Sequence, residues 1–221
     1  MADSTRDDRI RRAIRVYDAA THADALDRRA LLSDMARIAG SAAAGAALLS
    51  GIEARAAAPP RVGADDTRLA AGRVQWTGSG GRPMSGYAAM PRSARGAMAT
   101  VLIVHENRGL NAHIEDVTRR AALVGFRAIA PDFLSPAGGT PQPGADPIAA
   151  EDRARSLIAA LNPARTVADA VATIAAFAGA DVPTGDVRGN GHVGIMGFCW
   201  GGGLVNQVAL AAPPALREAV S

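Results

Sequence analysis

The sequence predicts an α/β fold, a mostly parallel sheet with helices on both faces, and three features carry that expectation. Thr100–His105 is a short, continuous apolar run rich in β-branched residues, as a strand covered on both faces requires, and His192–Phe198 is expected as another buried strand. Helical periodicity follows each of them, at Ala112–Leu123 and Gly202–Ala211. Between them strand-like and helix-like segments keep alternating, the pattern of parallel strands joined by crossover helices.

Taken in order, Arg73–Thr77 and Gly86–Met90 are expected as strands, joined by a turn through Gly78-Ser79-Gly80-Gly81-Arg82-Pro83. The Thr100–His105 strand leads into a helix over Ala112–Leu123, with Ile114, Val117, Ala121 and Val124 at helical spacing. Gly125 stands where a helix prefers a left-handed residue. Phe126–Ala130 is the next strand, closed by Pro131-Asp132. A Pro/Gly-rich stretch, Ser135–Pro147, is long enough for a lid or binding loop. Helices are expected over Ala149–Leu161 and Ala164–Ala178. Gly185–Gly191 then turns the chain into the His192–Phe198 strand, and Arg217–Ser221 opens one more.

Composition narrows the function. Hydrophobic residues make up 48% of the 221, which opposes disorder. All 24 basic residues are arginine, so a Walker A loop and a Schiff-base lysine are excluded. These arginines are scattered among 21 acids, aromatics are only 4%, and the net charge is +3, so no nucleic-acid surface is expected. One cysteine, Cys199, excludes an intrachain disulfide and a Cys-rich zinc site. Nothing in the sequence implies a metal or a cofactor.

Residues 1–58 are expected to be an export leader. Arg28-Arg29 precedes Ala30-Leu31-Leu32 and the uncharged run Ile38–Ile52, and small residues follow at Ala54-Arg55-Ala56 and Ala56-Ala57-Ala58. That order is the order of a twin-arginine signal, although Asp27 and Leu31 depart from the usual residues. Export machinery would then be a partner and the location periplasmic or secreted, or cytoplasmic if the leader is not used. The uncharged run is too short for a membrane span, which needs ~20 residues. Residues 59–67 are expected as linker and 68–221 as the folded domain.

Chemistry concentrates at Gly197-Phe198-Cys199-Trp200-Gly201, continued by Gly202-Gly203. After a buried strand and before a helix, this is the spacing of a nucleophile elbow with cysteine in place of serine. Gly197 and Gly201 flank a sharp turn that bulky side chains would obstruct. The helix N-terminus beyond favours a thiolate and an oxyanion, with the Trp200 backbone N–H as one oxyanion donor. The bland alternative is a small buried cysteine beside a glycine-rich turn.

Gly194–Gly203, together with His105-Glu106-Asn107-Arg108-Gly109-Leu110-Asn111, His113-Ile114-Glu115-Asp116-Val117 and Phe126–Asp132, resembles the dienelactone hydrolase (carboxymethylenebutenolidase) family of α/β-hydrolases. Val16-Tyr17-Asp18 and Leu26-Asp27-Arg28-Arg29 are similar to its exported members. The resemblance implies hydrolysis of a carboxylic ester or lactone through a cysteine acyl-enzyme. It implies that Glu106 contacts the resting thiol and helps to form the thiolate, and that the Asn107 backbone N–H is the second oxyanion donor. Family members bind a substrate carboxylate with loop arginines, yet none stands at the end of Phe133-Leu134-Ser135. His105 is expected as a packed strand-end residue, His113 as exposed, and His192 at the wrong end of its strand.

In this fold the triad runs nucleophile, acid, histidine along the chain. Residues 200–221 hold one acid, Glu218, and no histidine. The expectation is therefore a family member lacking its C-terminal strands, its triad acid and its histidine, with weak or absent turnover. Two other readings stay open: a non-catalytic ligand-binding remnant of the fold, and a thiol redox protein that uses Cys199.

Overall fold

The structure is a computed structural model that describes residues 33, 34, 37, 41, 61–144, 146–179 and 187–221. The expected leader thus lies almost wholly outside the described residues, as does the start of the turn expected at 185–191. The chain divides into two units, Met1–Pro59 and Pro60–Ser221. In the first, Ser33, Asp34 and Arg37 are helical, and the Arg37 guanidinium meets the Asp34 carboxylate at 2.7 Å.

The second unit holds a six-stranded sheet. Its strands are β1 (Leu69–Thr77), β2 (Pro83–Pro91), β3 (Ala97–Val104), β4 (Arg127–Asp132), β5 (Arg188–Gly197) and β6 (Leu216–Val220), in the spatial order β1-β2-β4-β3-β5-β6. The β1/β2 and β2/β4 pairs are antiparallel, while β4/β3, β3/β5 and β5/β6 are parallel. Helices α1 (Ala112–Leu123), α2 (Pro147–Ala159), α3 (Pro163–Gly179) and α4 (Trp200–Ala211) supply the crossovers.

Period-two alternation along β3 sorts its side chains between two cores. Leu102 and Val104 pack with Ala170 and Ile174 of α3 and with Leu204, Val205 and Val208 of α4. Ile103 faces the other way, onto Ile114 and Val117 of α1. Both faces are thus covered, and each fully buried aliphatic side chain contributes ~1.5–3 kcal/mol to folding. Polar punctuation sets the helix ends. The Asn111 side chain accepts from the Ile114 N–H at 3.1 Å and starts α1, and Gly125, at φ 103°, ends it. Asp146 caps α2 by accepting from the Ala149 N–H at 3.0 Å, with Pro147 in the first turn.

Residues 61–67, expected as linker, contribute to the domain. Val62 is buried, its N–H donates to Asp116 at 2.8 Å, and Arg119 Nε donates to its carbonyl at 2.8 Å. Arg119 also donates to the Tyr87 hydroxyl at 3.0 Å, joining this clip to β2. At the opposite end of β4, fully buried Arg127 donates to Thr100 Oγ1 at 3.1 Å and to the carbonyls of Val187 and Phe177. The base of the sheet is thereby tied to the end of α3.

Candidate active site

The parallel strands β3 and β5 run in register up to Val104↔Gly197, so the residues that follow each leave the sheet side by side at its C-terminal edge. Open α/β sheets gather their ligands at that edge. Glu106 and Asn107 emerge from β3 there, and Cys199 and Trp200 from β5.

Cys199 has φ 54° and ψ −119° and is exposed. A non-glycine residue holds such a conformation only where its surroundings dictate it, at a cost of order 1–3 kcal/mol. Here the surroundings are β5 on one side and α4 on the other. The helix starts at Trp200, two residues before its expected start, because Phe198 and Cys199 already supply carbonyls to Gly201 (2.8 Å) and Gly203 (3.3 Å). Trp200, as first helical residue, has no acceptor for its N–H within the helix. Its amide therefore belongs to the positive end of α4, one residue after Cys199.

Gly197 and Gly201 allow this turn. A Cβ on Gly197 would come within 2.5 Å of the Gly201 carbonyl and 2.9 Å of Val205 Cγ2. One on Gly201 would come within 2.5 Å of the His105 carbonyl oxygen and 2.8 Å of that of Val104. Side chains at these positions would push α4 away from β5 and from β3. Gly203 has open space around its Cα, so its absence of a side chain serves no such contact.

Beneath the elbow lies fully buried His105, at the position where β3 ends. Its ring stacks on Trp200 with centroids 5.2 Å apart and 12° between planes, and meets Phe133 edge-on at 5.6 Å. The Phe133 N–H donates to Nε2 at 3.2 Å, and Nδ1 lies 2.7 Å from the Glu106 carbonyl oxygen. A backbone N–H can only donate and a carbonyl only accept, so the ring carries its proton on Nδ1. Burial pushes its pKa down, opposed by the Glu106 carbonyl and the Asp132 carboxylate. With both nitrogens engaged, His105 is packing and scaffold; it has no lone pair to offer a thiol.

Glu106 and Asn107 are half-buried, and Glu106 follows directly on His105. The next residue, Arg108, has its Nε 3.5 Å from Glu151 of α2, which also pairs with Arg155 at 3.3 Å. His113 is exposed on α1, and His192 lies early on β5, exposed and remote from the elbow. Glu218 sits on β6 opposite Gly194, well before the elbow. Among the described residues no group of three His, Cys, Asp or Glu side chains could hold a metal ion. No helix of the described residues is long and apolar enough to cross a membrane.

Asp132, expected only as the close of a strand, also shapes the site. Buried, it accepts from the Leu134 N–H (3.0 Å), the Thr140 N–H (2.8 Å) and the Thr140 hydroxyl (2.8 Å). Thr140 Oγ1 in turn accepts from the Leu110 N–H at 2.8 Å. One carboxylate thus ties the first part of the expected lid, through Thr140, to the loop that carries Glu106. Pro131-Asp132 followed by Gly138-Gly139-Thr140 was the available signal.

Comparison with known proteins agrees with this layout. Over 56 residues the chain is 54% identical to an Escherichia coli K12 protein named "Putative hydrolase fragment YghX", covering 25% of this chain and 48% of that one. Over 166 residues it is 34% identical to a Salmonella typhi protein named "Putative carboxymethylenebutenolidase", covering 74% of this chain and 56% of that one. The crystal structure titled "Putative Dienelactone Hydrolase" from Klebsiella pneumoniae superposes with a TM-score of 0.52 at 29% identity, over 67% of this chain and 57% of that one. The chain spans about half the length of the curated relatives it matches. The dienelactone hydrolase family model matches residues 84–221, from β2 through the elbow to β6, and the chain belongs to that family.

Proposed function

We propose that this chain acts in the hydrolysis of a carboxylic ester or lactone, with Cys199 as the attacking group. The observation that carries the reading is the backbone of Cys199, at φ 54° and ψ −119° between the end of β5 and the start of α4, with its side chain exposed. The elbow has no packing need for such strain, whereas a nucleophile held clear of the sheet does.

In the reaction, Glu106 takes the thiol proton and the sulfur attacks the ester carbonyl carbon. The carbonyl π pair moves onto oxygen, where the N–H groups of Trp200 and Asn107 stabilise it. Collapse of this intermediate breaks the C–O bond, leaves a thioester on Cys199, and releases an alkoxide that is protonated by water. Water then cleaves the thioester. That second step needs a base, and the described histidines supply none: His105 is engaged at both nitrogens, His113 and His192 stand elsewhere. Acylation of Cys199 is therefore the step for which the described residues supply every group, and it is the step to test.

The test is p-nitrophenyl acetate with the full chain, read by nitrophenolate release and intact mass. A stoichiometric burst with one acetyl group retained, absent in Cys199→Ala, is the expected result. Ester binding without acylation would replace this reading with a binding remnant; rapid peroxide oxidation of the thiol without ester cleavage would replace it with a redox protein. We also propose that residues 1–58 are an export leader. A mature protein from its source cells whose mass still includes them would overturn that assignment.

A further inference from the structure

We infer that His105 is a positioning residue for the oxyanion site, acting through the peptide that joins Glu106 to Asn107. Its catalytic consequence rests on the hydrolase reading above. The Nδ1–H of His105 donates to the Glu106 carbonyl at 2.7 Å, and the Gly109 N–H donates to the same oxygen at 3.3 Å. A trans peptide is planar, with its C=O and N–H directed oppositely. Fixing the Glu106 carbonyl towards the His105 ring therefore fixes the Asn107 N–H away from it. That N–H is the second oxyanion donor in the proposed mechanism.

The ring itself cannot drift. Phe133 donates to its Nε2 at 3.2 Å, Phe133 packs edge-on against it, and Trp200 stacks on its face. Trp200 carries the first oxyanion donor, so one imidazole touches the residue of one donor and orients the peptide of the other. Its carbonyl also lies against Gly201, at the first turn of α4. The two amides come from chain segments far apart in sequence, and His105 touches both segments, through the Trp200 ring and the Glu106 carbonyl. Positions of such donors matter steeply, because the oxyanion forms only in the transition state.

Two substitutions separate the contacts. In His105→Asn the side-chain amide reaches the Nδ1 position and keeps a donor for Glu106. In His105→Gln it reaches the Nε2 position, keeps a partner for Phe133, and leaves Glu106 unbonded. Acylation of Cys199 by p-nitrophenyl acetate needs an oxyanion donor, while its alkylation by iodoacetamide needs none, and both are measured in single turnover. We expect His105→Gln to slow maximal acylation by about tenfold or more, part of the ~10²–10³ that loss of a whole donor costs, with half-saturation and alkylation unchanged. His105→Asn should recover most of that rate. Equal acylation in the two variants, or a parallel fall in acylation and alkylation, overturns the inference. If wild-type Cys199 acylates no faster than a free thiol, the hydrolase reading fails by itself. The ¹³C shift of the Glu106 carbonyl and the ¹⁵N shift of the Asn107 amide then decide the role of His105. Displacement in His105→Gln but not in His105→Asn supports it, and equal shifts in both overturn it.

Discussion

Gly197 and Gly201 meet backbone to backbone: a Cβ on the first would stand 2.5 Å from both the carbonyl carbon and the carbonyl oxygen of the second. Real Cβ atoms do not occupy that distance, and the obstacle is main chain rather than a side chain that could rotate away. Gly197→Ala must therefore separate α4 from β5, at a cost of about 3 kcal/mol. Gly203→Ala, in the same helix with open space around it, should instead stabilise by ~0.5–1 kcal/mol through helix propensity. Urea unfolding of the two variants checks both signs. A Gly197→Ala protein as stable as wild type would mean that the tight crossing at the elbow is wrong.

Strain at Cys199 makes a second prediction. At φ 54° and ψ −119° a glycine sits comfortably and any side chain does not. Cys199→Gly should be more stable than Cys199→Ala by about 1 kcal/mol, the released strain outweighing glycine's greater entropy in the unfolded chain. Both variants lose acylation. Thermal unfolding of the two variants reads the strain, and the burst assay beside it reads the loss of acylation in both.

These two positions were legible in the sequence because the elbow's demands are local: a buried strand, a turn and a helix start within a few residues. Helix α1 was legible for the same reason, its apolar spacing giving its extent and Gly125 its end. β1, β2 and β5 begin three or four residues earlier than their apolar pattern suggested: Leu69 and Met84 are buried but stand apart from any run of large apolar residues, and the first residues of β5 are held by ladder pairing rather than by burial. Arg188 and Gly189, for example, pair with Ala97 and Met98 although Gly189-Asn190-Gly191 resembles a turn. The packing of His105 at its strand end was legible, but its bonds to Glu106 and Phe133, and the two loops that Asp132 joins, were not. A histidine after an apolar strand and an aspartate after a proline acquire their roles from Phe133, Thr140 and Trp200, which only the fold brings near.

Asp132 supports two loops with one buried carboxylate, so its removal should act on both. Asp132→Ala leaves the N–H groups of Leu134 and Thr140 without acceptors, and each buried unsatisfied donor costs ~1–3 kcal/mol. We expect a destabilisation of about 3 kcal/mol and faster proteolytic cleavage between residues 133 and 140. Thr140→Val removes the acceptor of the Leu110 N–H and the hydroxyl bond to Asp132 but keeps the Thr140 N–H bond to that carboxylate; it should cost ~1–3 kcal/mol and leave the Asp132–Leu134 turn intact. If Thr140→Val slows acylation of Cys199 while cleavage of the 133–140 loop stays slow, the link to the Glu106 loop is what the site requires.

His105 gives stability a defined pH dependence. Burial holds the folded imidazole neutral and places its pKa below the ordinary value of 6.5, despite the opposing pull of the Asp132 carboxylate. Protonation would also put an N–H on Nε2 against the Phe133 N–H. Below pH 6.5 the unfolded chain binds a proton that the folded chain refuses, so stability falls with decreasing pH. The full contribution is present above pH 6.5. It is lost progressively as the pH drops towards the lowered folded pKa, with a slope of at most ~1.4 kcal/mol per pH unit for this one proton. Unfolding free energies of wild type and His105→Gln, measured in urea at closely spaced pH values from 7.5 downwards, isolate the effect. The gap between them should be constant above 6.5 and narrow below it, because glutamine has no proton to refuse. A gap that stays constant through this range would mean that the imidazole titrates alike in both states, and that it is neither as buried nor as firmly bonded to Phe133 as the structure describes.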